Sequence, residues 1–223
     1  MKTILLNRSV TDANDRQAEA LRRKLRERGT LLVNLMSSPG SGKTTLLSRL
    51  IRDLGDLRIG VLEADIASAV DAERISALGA DALQLHTGGM CHMDAAMTTQ
   101  ALENLNPGKY DLIFLENVGN LICPAEYDTG AALDVMLLSL PEGDDKPLKY
   151  PLMFRRSRAL IVTKLDTAPW FDFDLEACVR RVRALNPNIE IFPVSARTGQ
   201  GMEALESWLR IRLNRWKNGE EQA

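Results

Sequence analysis

The sequence predicts an α/β fold, a mostly parallel twisted sheet with helices on both faces. Three observations lead there. Apolar-rich runs of strand length occur at 31–36, 58–64, 82–86, 110–115, 133–139, 158–163 and 189–194. Helical patterns near 43–54, 71–79, 92–105, 173–185 and 201–216 alternate with them, as crossovers between parallel strands require. Between the first strand and the helix after it lies the glycine-rich run Ser37-Ser38-Pro39-Gly40-Ser41-Gly42-Lys43-Thr44-Thr45.

The chain opens with a helix over 12–29. Asp12 or Asn14 can cap it, Ala18, Leu21 and Leu25 share one face, and Gly29 ends it. Its Arg and Lys residues at 22–24, 26 and 28 read as a solvated side. The helix after the glycine-rich run is marked by Leu46, Leu47, Leu50 and Ile51 at helical spacing. The polar stretch Pro141–Pro147 reads as a loop rather than a domain boundary. The tail after Trp216 is polar and a candidate for disorder. No internal repeat is visible, and 223 residues suit one domain spanning 1–223 with a substantial core.

Charge and composition exclude several classes. Lys and Arg number 28 against 30 Asp and Glu, a net charge of −2, so nothing points to nucleic acid or to a polybasic membrane patch. No apolar run approaches the ~18 residues of a spanning helix. Met1–Arg8 has too short an apolar core for a secretory signal, and a cytoplasmic location is expected. The three cysteines, Cys91, Cys123 and Cys178, are an odd number without a disulfide pattern. In a reducing compartment such thiols are packed, reactive or metal-binding.

The run at 37–45 carries the first chemistry. A glycine-rich loop between strand and helix turns successive N–H groups around a polyphosphate, at a helix N-terminus that favours anions. Pro39, Gly40, Ser41, Gly42 and Thr45 belong to that cradle, Lys43 would reach the β- and γ-phosphates, and the Thr44 hydroxyl would hold Mg²⁺. The general pattern G-x-x-x-x-G-K-[ST] has its first glycine where this chain has Ser37. The fold expected is therefore that of a P-loop NTPase.

Thr163-Lys164-Leu165-Asp166 stands at the C-terminal end of the 158–163 strand, where ligands bind in α/β sheets. A carboxylate there accepts from guanine N1–H and its exocyclic amine, a donor pair adenine lacks. Asp166 would thus select GTP over ATP, and the Lys164 stem would lie along the base. Ser195-Ala196-Arg197, ending the next strand, could present a backbone N–H to the guanine oxygen. The pair is similar to the N-K-x-D and S-A-[KT] motifs of G-proteins, with Thr163 in place of Asn. That change is expected to cost the side-chain tie between the base loop and the phosphate loop.

Further motifs lie between these. Strand 110–115 leads into Glu116-Asn117-Val118-Gly119-Asn120-Leu121-Ile122-Cys123-Pro124-Ala125, and Cys91-His92-Met93-Asp94-Ala95 lies upstream. With Val70–Ile75 and Lys146–Pro151, these residues resemble the HypB family of GTPases, which assist nickel insertion into [NiFe]-hydrogenase. The resemblance runs from Ala13 through the C-terminal helix. It implies GTP hydrolysis, with Lys43 at the phosphates, Asp65 as an Mg²⁺ partner beside Thr44, Asp71 in the first switch, and Glu116 and Gly119 in the second. It also implies partners: a second copy in a GTP-dependent homodimer, and a hydrogenase precursor or other maturation proteins.

Cys91 and His92 offer a thiolate and an imidazole from one segment, which suit Ni²⁺ or Zn²⁺. Cys123 could supply a third ligand, or a second copy could bring a matching pair to a two-fold axis, as the family resemblance implies. Cys178 reads as packing, and His86 has no assigned partner. Gly89 and Leu152 depart from the family pattern, as Ser37 departs from the phosphate-loop pattern and Thr163 from the G-protein one. No cysteine-rich N-terminal motif or histidine-rich tract is present, the sequence holding two histidines. Two alternatives stay open: an accessory GTPase for another metalloenzyme, and a GTP-switched assembly module that carries no metal. A small-molecule kinase is a third reading, against which Thr163–Asp166 argues.

Overall fold

The computed structural model describes residues 7–64 and 75–221, with side chains from residue 12 onward. Seven strands form one all-parallel sheet in the order β3-β2-β4-β1-β5-β6-β7. They are β1 (Leu31–Ser37), β2 (Ile59–Glu63), β3 (Asp81–Gln84), β4 (Leu112–Glu116), β5 (Leu133–Ser139), β6 (Ala159–Thr163) and β7 (Glu190–Pro193). The first strand lies at the centre, with β4 on one side in the register Leu35↔Glu116 and β5 on the other in the register Ser37↔Leu137. Alternation along the strands feeds two cores. Val135, Leu137 and Ile161 face one; Met136, Leu138 and Val162 face the other. Removing a buried leucine from either would cost about 2–5 kcal/mol.

The α-helices that lie wholly within the described residues are α1 (Asn7–Glu27), α2 (Lys43–Asp53), α3 (Ala95–Leu105), α4 (Lys146–Lys149), α5 (Pro151–Arg156), α6 (Leu175–Leu185) and α7 (Met202–Lys217). Helix α1 starts earlier than its sequence suggests, so Asp12 and Asn14 are interior positions rather than caps. Asn14 instead joins two other segments: its Oδ1 accepts from Ala95 N at 3.0 Å and its Nδ2 donates to the Asp128 carbonyl at 2.9 Å. Arg22 is not merely solvated, since its guanidinium takes both carboxylate oxygens of Asp128 at 2.8 Å. Gly29, at φ +67°, does end the helix. Thr30 N bonds the Leu25 carbonyl and Gly29 N that of Arg26, the paired bonds of a Schellman stop.

Three other expectations are corrected. Helix α3 begins at Ala95 rather than 92, because the Asp94 side chain accepts from Met97 N at 2.8 Å and caps it. That leaves Cys91 and His92 in the preceding turn. The stretch 141–147 is not a plain loop. A 3₁₀ turn covers Leu140–Glu142, held by a reciprocal Ser139–Glu142 capping box, and Lys146 opens α4. The C-terminal tail is ordered to Glu221, whose buried carboxylate takes Arg212 Nη1 at 2.8 Å. Of the helix expected over 71–79, residues 71–74 lie outside the described residues, and Ile75 and Ser76 are helical. Among the described residues, no helix is long and apolar enough to cross a membrane.

Candidate functional site

The phosphate loop joins β1, the central strand, to α2 at the C-terminal edge of the sheet. Gly40 at φ +73° and Gly42 at φ +96° adopt the left-handed conformation that side chains resist. They bend the loop, and Gly42 caps α2 without a side chain of its own. Ser37 is buried and wired into the loop. Its Oγ donates to the Ser38 carbonyl at 2.8 Å and accepts from Ser41 Oγ at 2.6 Å and Lys43 Nζ at 3.0 Å. The serine that replaces glycine thus holds the buried lysine in place. Thr44 is half-buried and Thr45 exposed on the first turn of α2. The Ser38 hydroxyl bonds the Glu142 carboxylate, and Glu142 Oε2 accepts from Ser139 N and Oγ, each at 2.7 Å.

The base loop leaves β6. Thr163 Oγ1 donates to the Ser41 carbonyl at 2.6 Å, and Lys164 Nζ to that of Gly40 at 2.7 Å. The expected loss of the tie at position 163 is therefore corrected: a hydroxyl one atom shorter than an amide still reaches the phosphate loop. Lys164 itself is left-handed at φ +60°. Asp166 Oδ1 accepts from Ser195 Oγ at 2.6 Å, and Thr198 N donates to the same hydroxyl at 3.2 Å. Leu165 N bonds the Val194 carbonyl at 3.0 Å, so the β6 and β7 ends are held together. Arg197, 84% exposed, lies 3.8 Å from Asp166, a rim contact worth little. Ala196 is half-buried beside it.

Glu116 ends β4 and is buried beside β1. Opposite it in register stands Glu63, the last residue of β2 and equally buried. Sequence reasoning passed over Glu63 and Glu142. Each had a signal, an acidic residue closing an apolar strand in one case and an S-x-x-E capping box in the other. Gly119 lies half-buried in the loop after Glu116. Asp65 and Asp71 lie outside the described residues.

The soft donors gather at that same loop. Cys91 Sγ lies 3.8 Å from His92 Nδ1. The His92 ring stacks on Tyr127, centroids 3.7 Å apart and planes 9° from parallel. Burial lowers the His92 pKa, against the opposing pull of Asp94 and Glu126, which favours the neutral ligand form. Cys123 is raised, first by its hydrogen bond with the Cys91 thiol and then by burial. Cys91 is exposed and Cys123 half-buried. Among the described residues, no group of three or more His, Cys, Asp or Glu side chains closes around a single ion position. Cys178 is fully buried and its thiol is pushed up to about 12 by burial, as a packing residue would be. His86 is exposed.

A phosphate loop opening a helix at the sheet edge, strapped to a Lys- and Asp-bearing turn from β6, the next strand but one, defines a P-loop nucleotide-binding protein. Residues 31–193 match the family model described as "CobW/HypB/UreG, nucleotide-binding domain". The hydrogenase maturation factor HypB of Rhizobium leguminosarum bv. viciae is 45% identical over 94% of this chain and 71% of its own length. The crystal structure of HypB from Helicobacter pylori in complex with nickel superposes with a TM-score of 0.87 at 38% identity, covering 95% of this chain and 98% of that one. HypB from Archaeoglobus fulgidus gives 0.86 at 38% identity, over 91% and 100%. The chain belongs to the CobW/HypB/UreG family of nucleotide-binding domains.

Proposed function

We propose that this protein is a GTP-hydrolysing metallochaperone that assists nickel insertion into [NiFe]-hydrogenase, working as a single domain in the cytoplasm. The observation that carries the reading is the double strap from Thr163 and Lys164 to Ser41 and Gly40, in a chain that places Cys91 beside His92 and carries Cys123 on the loop following Glu116. One end of that arrangement suits a guanine nucleotide and the other a borderline metal ion.

The chain's own residues divide the chemistry between them. The loop N–H groups of 39–45 and the Lys43 ammonium bind and neutralise phosphate oxygens, so that hydrolysis is a matter of positioning and charge. Lys164 lies along the base, Asp166 accepts its N1–H and exocyclic amine, and the turn Ser195-Ala196-Arg197 offers a backbone N–H to its oxygen. Ser195 holds the Asp166 carboxylate in the needed rotamer. Glu116 and Gly119 line the γ-phosphate side, with Asp71 assigned to the first switch by family resemblance. The Thr44 hydroxyl and, by family resemblance, Asp65 would supply the oxygen donors that Mg²⁺ takes, and that ion would add charge neutralisation at the phosphates. Nickel is cargo. Cys91, His92 and Cys123 would hold it, and Zn²⁺ fits the same donors. A matching Cys91–His92 pair from a second copy would make up four donors on a two-fold axis at a GTP-dependent dimer interface, from which the ion passes to a hydrogenase precursor or another maturation protein.

Calorimetry of GTP against ATP, phosphate release, and Ni²⁺ titration of the GTP-bound form test the reading together. GTP should bind far more tightly than ATP, free phosphate should appear, and Ni²⁺ binding should vanish in the Cys91→Ala/His92→Ala variant while hydrolysis persists. Equal affinity for the two nucleotides would remove the basis of the proposal. Guanine preference without any Ni²⁺ or Zn²⁺ uptake would leave the metal-free assembly module instead.

A further inference from the structure

Directly after Glu116, Asn117 has a side chain with no exposure at all. Its Oδ1 accepts from two backbone donors, Met93 N at 3.2 Å and Val118 N at 2.9 Å. Its Nδ2 donates to Asn34 Oδ1 at 3.0 Å, and Asn34 Nδ2 donates in turn to the Asp134 carboxylate at 2.8 Å. The direction of the chain is dictated from both ends, by two N–H donors at one and a carboxylate acceptor at the other. The Asn117 backbone N–H is pinned as well, donating to the Leu35 carbonyl of β1 at 3.0 Å.

The two donors on that oxygen belong to the two arms that carry the soft ligands. Met93 directly follows Cys91 and His92, and Val118 begins the stretch that reaches Cys123. Both arms therefore hang from one amide oxygen fixed against the central strand. An oxygen whose two lone pairs are both engaged cannot follow one arm without loosening the other. We propose that Asn117 is a positioning residue that sets the separation between the Cys91–His92 pair and Cys123, and with it the affinity for a soft or borderline divalent cation. The inference rests on the metal reading above and deepens it: the anchor opens the loop that follows Glu116 and carries Gly119, so a shift there moves both ligand arms.

The test compares wild type with Asn117→Ala, Asn117→Asp and Asn34→Ala, all GDP-loaded. Ni²⁺ is titrated while the thiolate-to-nickel charge-transfer absorption is followed, and GDP affinity is measured in parallel. Loss of an outer-shell anchor of this kind weakens metal binding about 10- to 100-fold. Asn117→Ala should show that loss and a weaker charge-transfer band, with GDP affinity changed by less than about threefold. Asn117→Asp keeps the accepting oxygen and should restore Ni²⁺ affinity to within about threefold. Asn34→Ala removes the acceptor of the Asn117 amide N–H but leaves the oxygen that holds both arms, and should do the same. If Asn117→Ala fails to fold, Asn117→Ser takes its place with the same expectation. Wild-type Ni²⁺ affinity in Asn117→Ala overturns the inference alone, as does an equal loss in Asn34→Ala, which would make general loosening of the buried chain the cause. A wild-type protein that takes up no Ni²⁺ overturns the metal reading and this inference with it.

Discussion

The Thr163 hydroxyl is a small group with a defined role, since it bonds the Ser41 carbonyl and so fixes the phosphate loop to the base loop. Thr163→Val preserves shape and removes the donor, leaving a buried carbonyl short of a partner at a cost of about 1–3 kcal/mol. GDP affinity should fall roughly tenfold with the preference for guanine unchanged, as paired GDP and ADP titrations would read. Asp166→Asn should do the opposite, abolishing the preference for guanine, because an amide presents both a donor and an acceptor to the base edge. Asp134 carries a pH signature. Burial, with the nearby Asp128 charge, pushes its carboxyl up to about 6 against the pull of Asn34, Arg156 and Arg22. A raised carboxylate favours the folded state fully below the unfolded value of 3.8 and loses that contribution as pH rises through about 6. Asp134→Asn keeps an acceptor for Asn34. It should therefore match wild type near pH 4 and exceed it increasingly up to pH 6, by about 2–3 kcal/mol at neutral pH. Thermal melts of the two proteins from pH 4 to 7.5 would show no divergence if Asp134 titrates normally.

At the scale of elements, the junction of β7 with α7 leaves its glycine the least room of those described. Gly201 caps α7 at φ +74°, and a Cβ there would stand inside van der Waals contact with the Pro193 carbonyl oxygen. Gly219 has the same φ of +74° and nothing within 4 Å of such a Cβ. Alanine at either position suffers left-handed strain of about 1–2 kcal/mol. Only Gly201→Ala adds a backbone clash on the turn that holds Ser195. Gly201→Ala should lower Tm by more than about 5 °C and weaken guanine nucleotide binding, while Gly219→Ala should cost only a few degrees. Similar melting points for the two would show that the junction yields. Helices α4 and α5 belong to this scale too. They are four and six residues long, and each begins at or just before a proline, so no periodic pattern betrays them.

For the whole molecule, the phosphate loop leaves β1 and the loop bearing Cys123 leaves β4, the strand beside it, so the two share the C-terminal edge of the sheet. A dimer that completes a metal site there would couple association to cargo. Sedimentation of the protein with a non-hydrolysable GTP analogue and Ni²⁺ should give a dimer, with Cys123→Ala remaining monomeric or binding less metal. A wild-type protein that stays monomeric at tens of micromolar with both ligands present would count against a shared site.

What the amino-acid order determined by itself is local. Gly40 and Gly42 with Lys43 and Thr44, the Thr163–Asp166 turn, and the pairing of Cys91 with His92 are written within a few residues, because backbone conformation and short-range chemistry demand those residue types. Strand number and parallel pairing were legible for the same reason, since apolar runs alternating with amphipathic ones leave few topologies. Contacts between distant segments were not legible. That a threonine replaces an amide at position 163, that Glu63 stands beside Glu116, and that the Met93 and Val118 arms share the Asn117 oxygen were decided only when the sheet closed. Hydrogen bonds between residues 122 and 124 apart in sequence, as from Thr163 and Lys164 to the phosphate loop, have no periodicity to announce them; they follow from which strand ends packing brings within 3 Å.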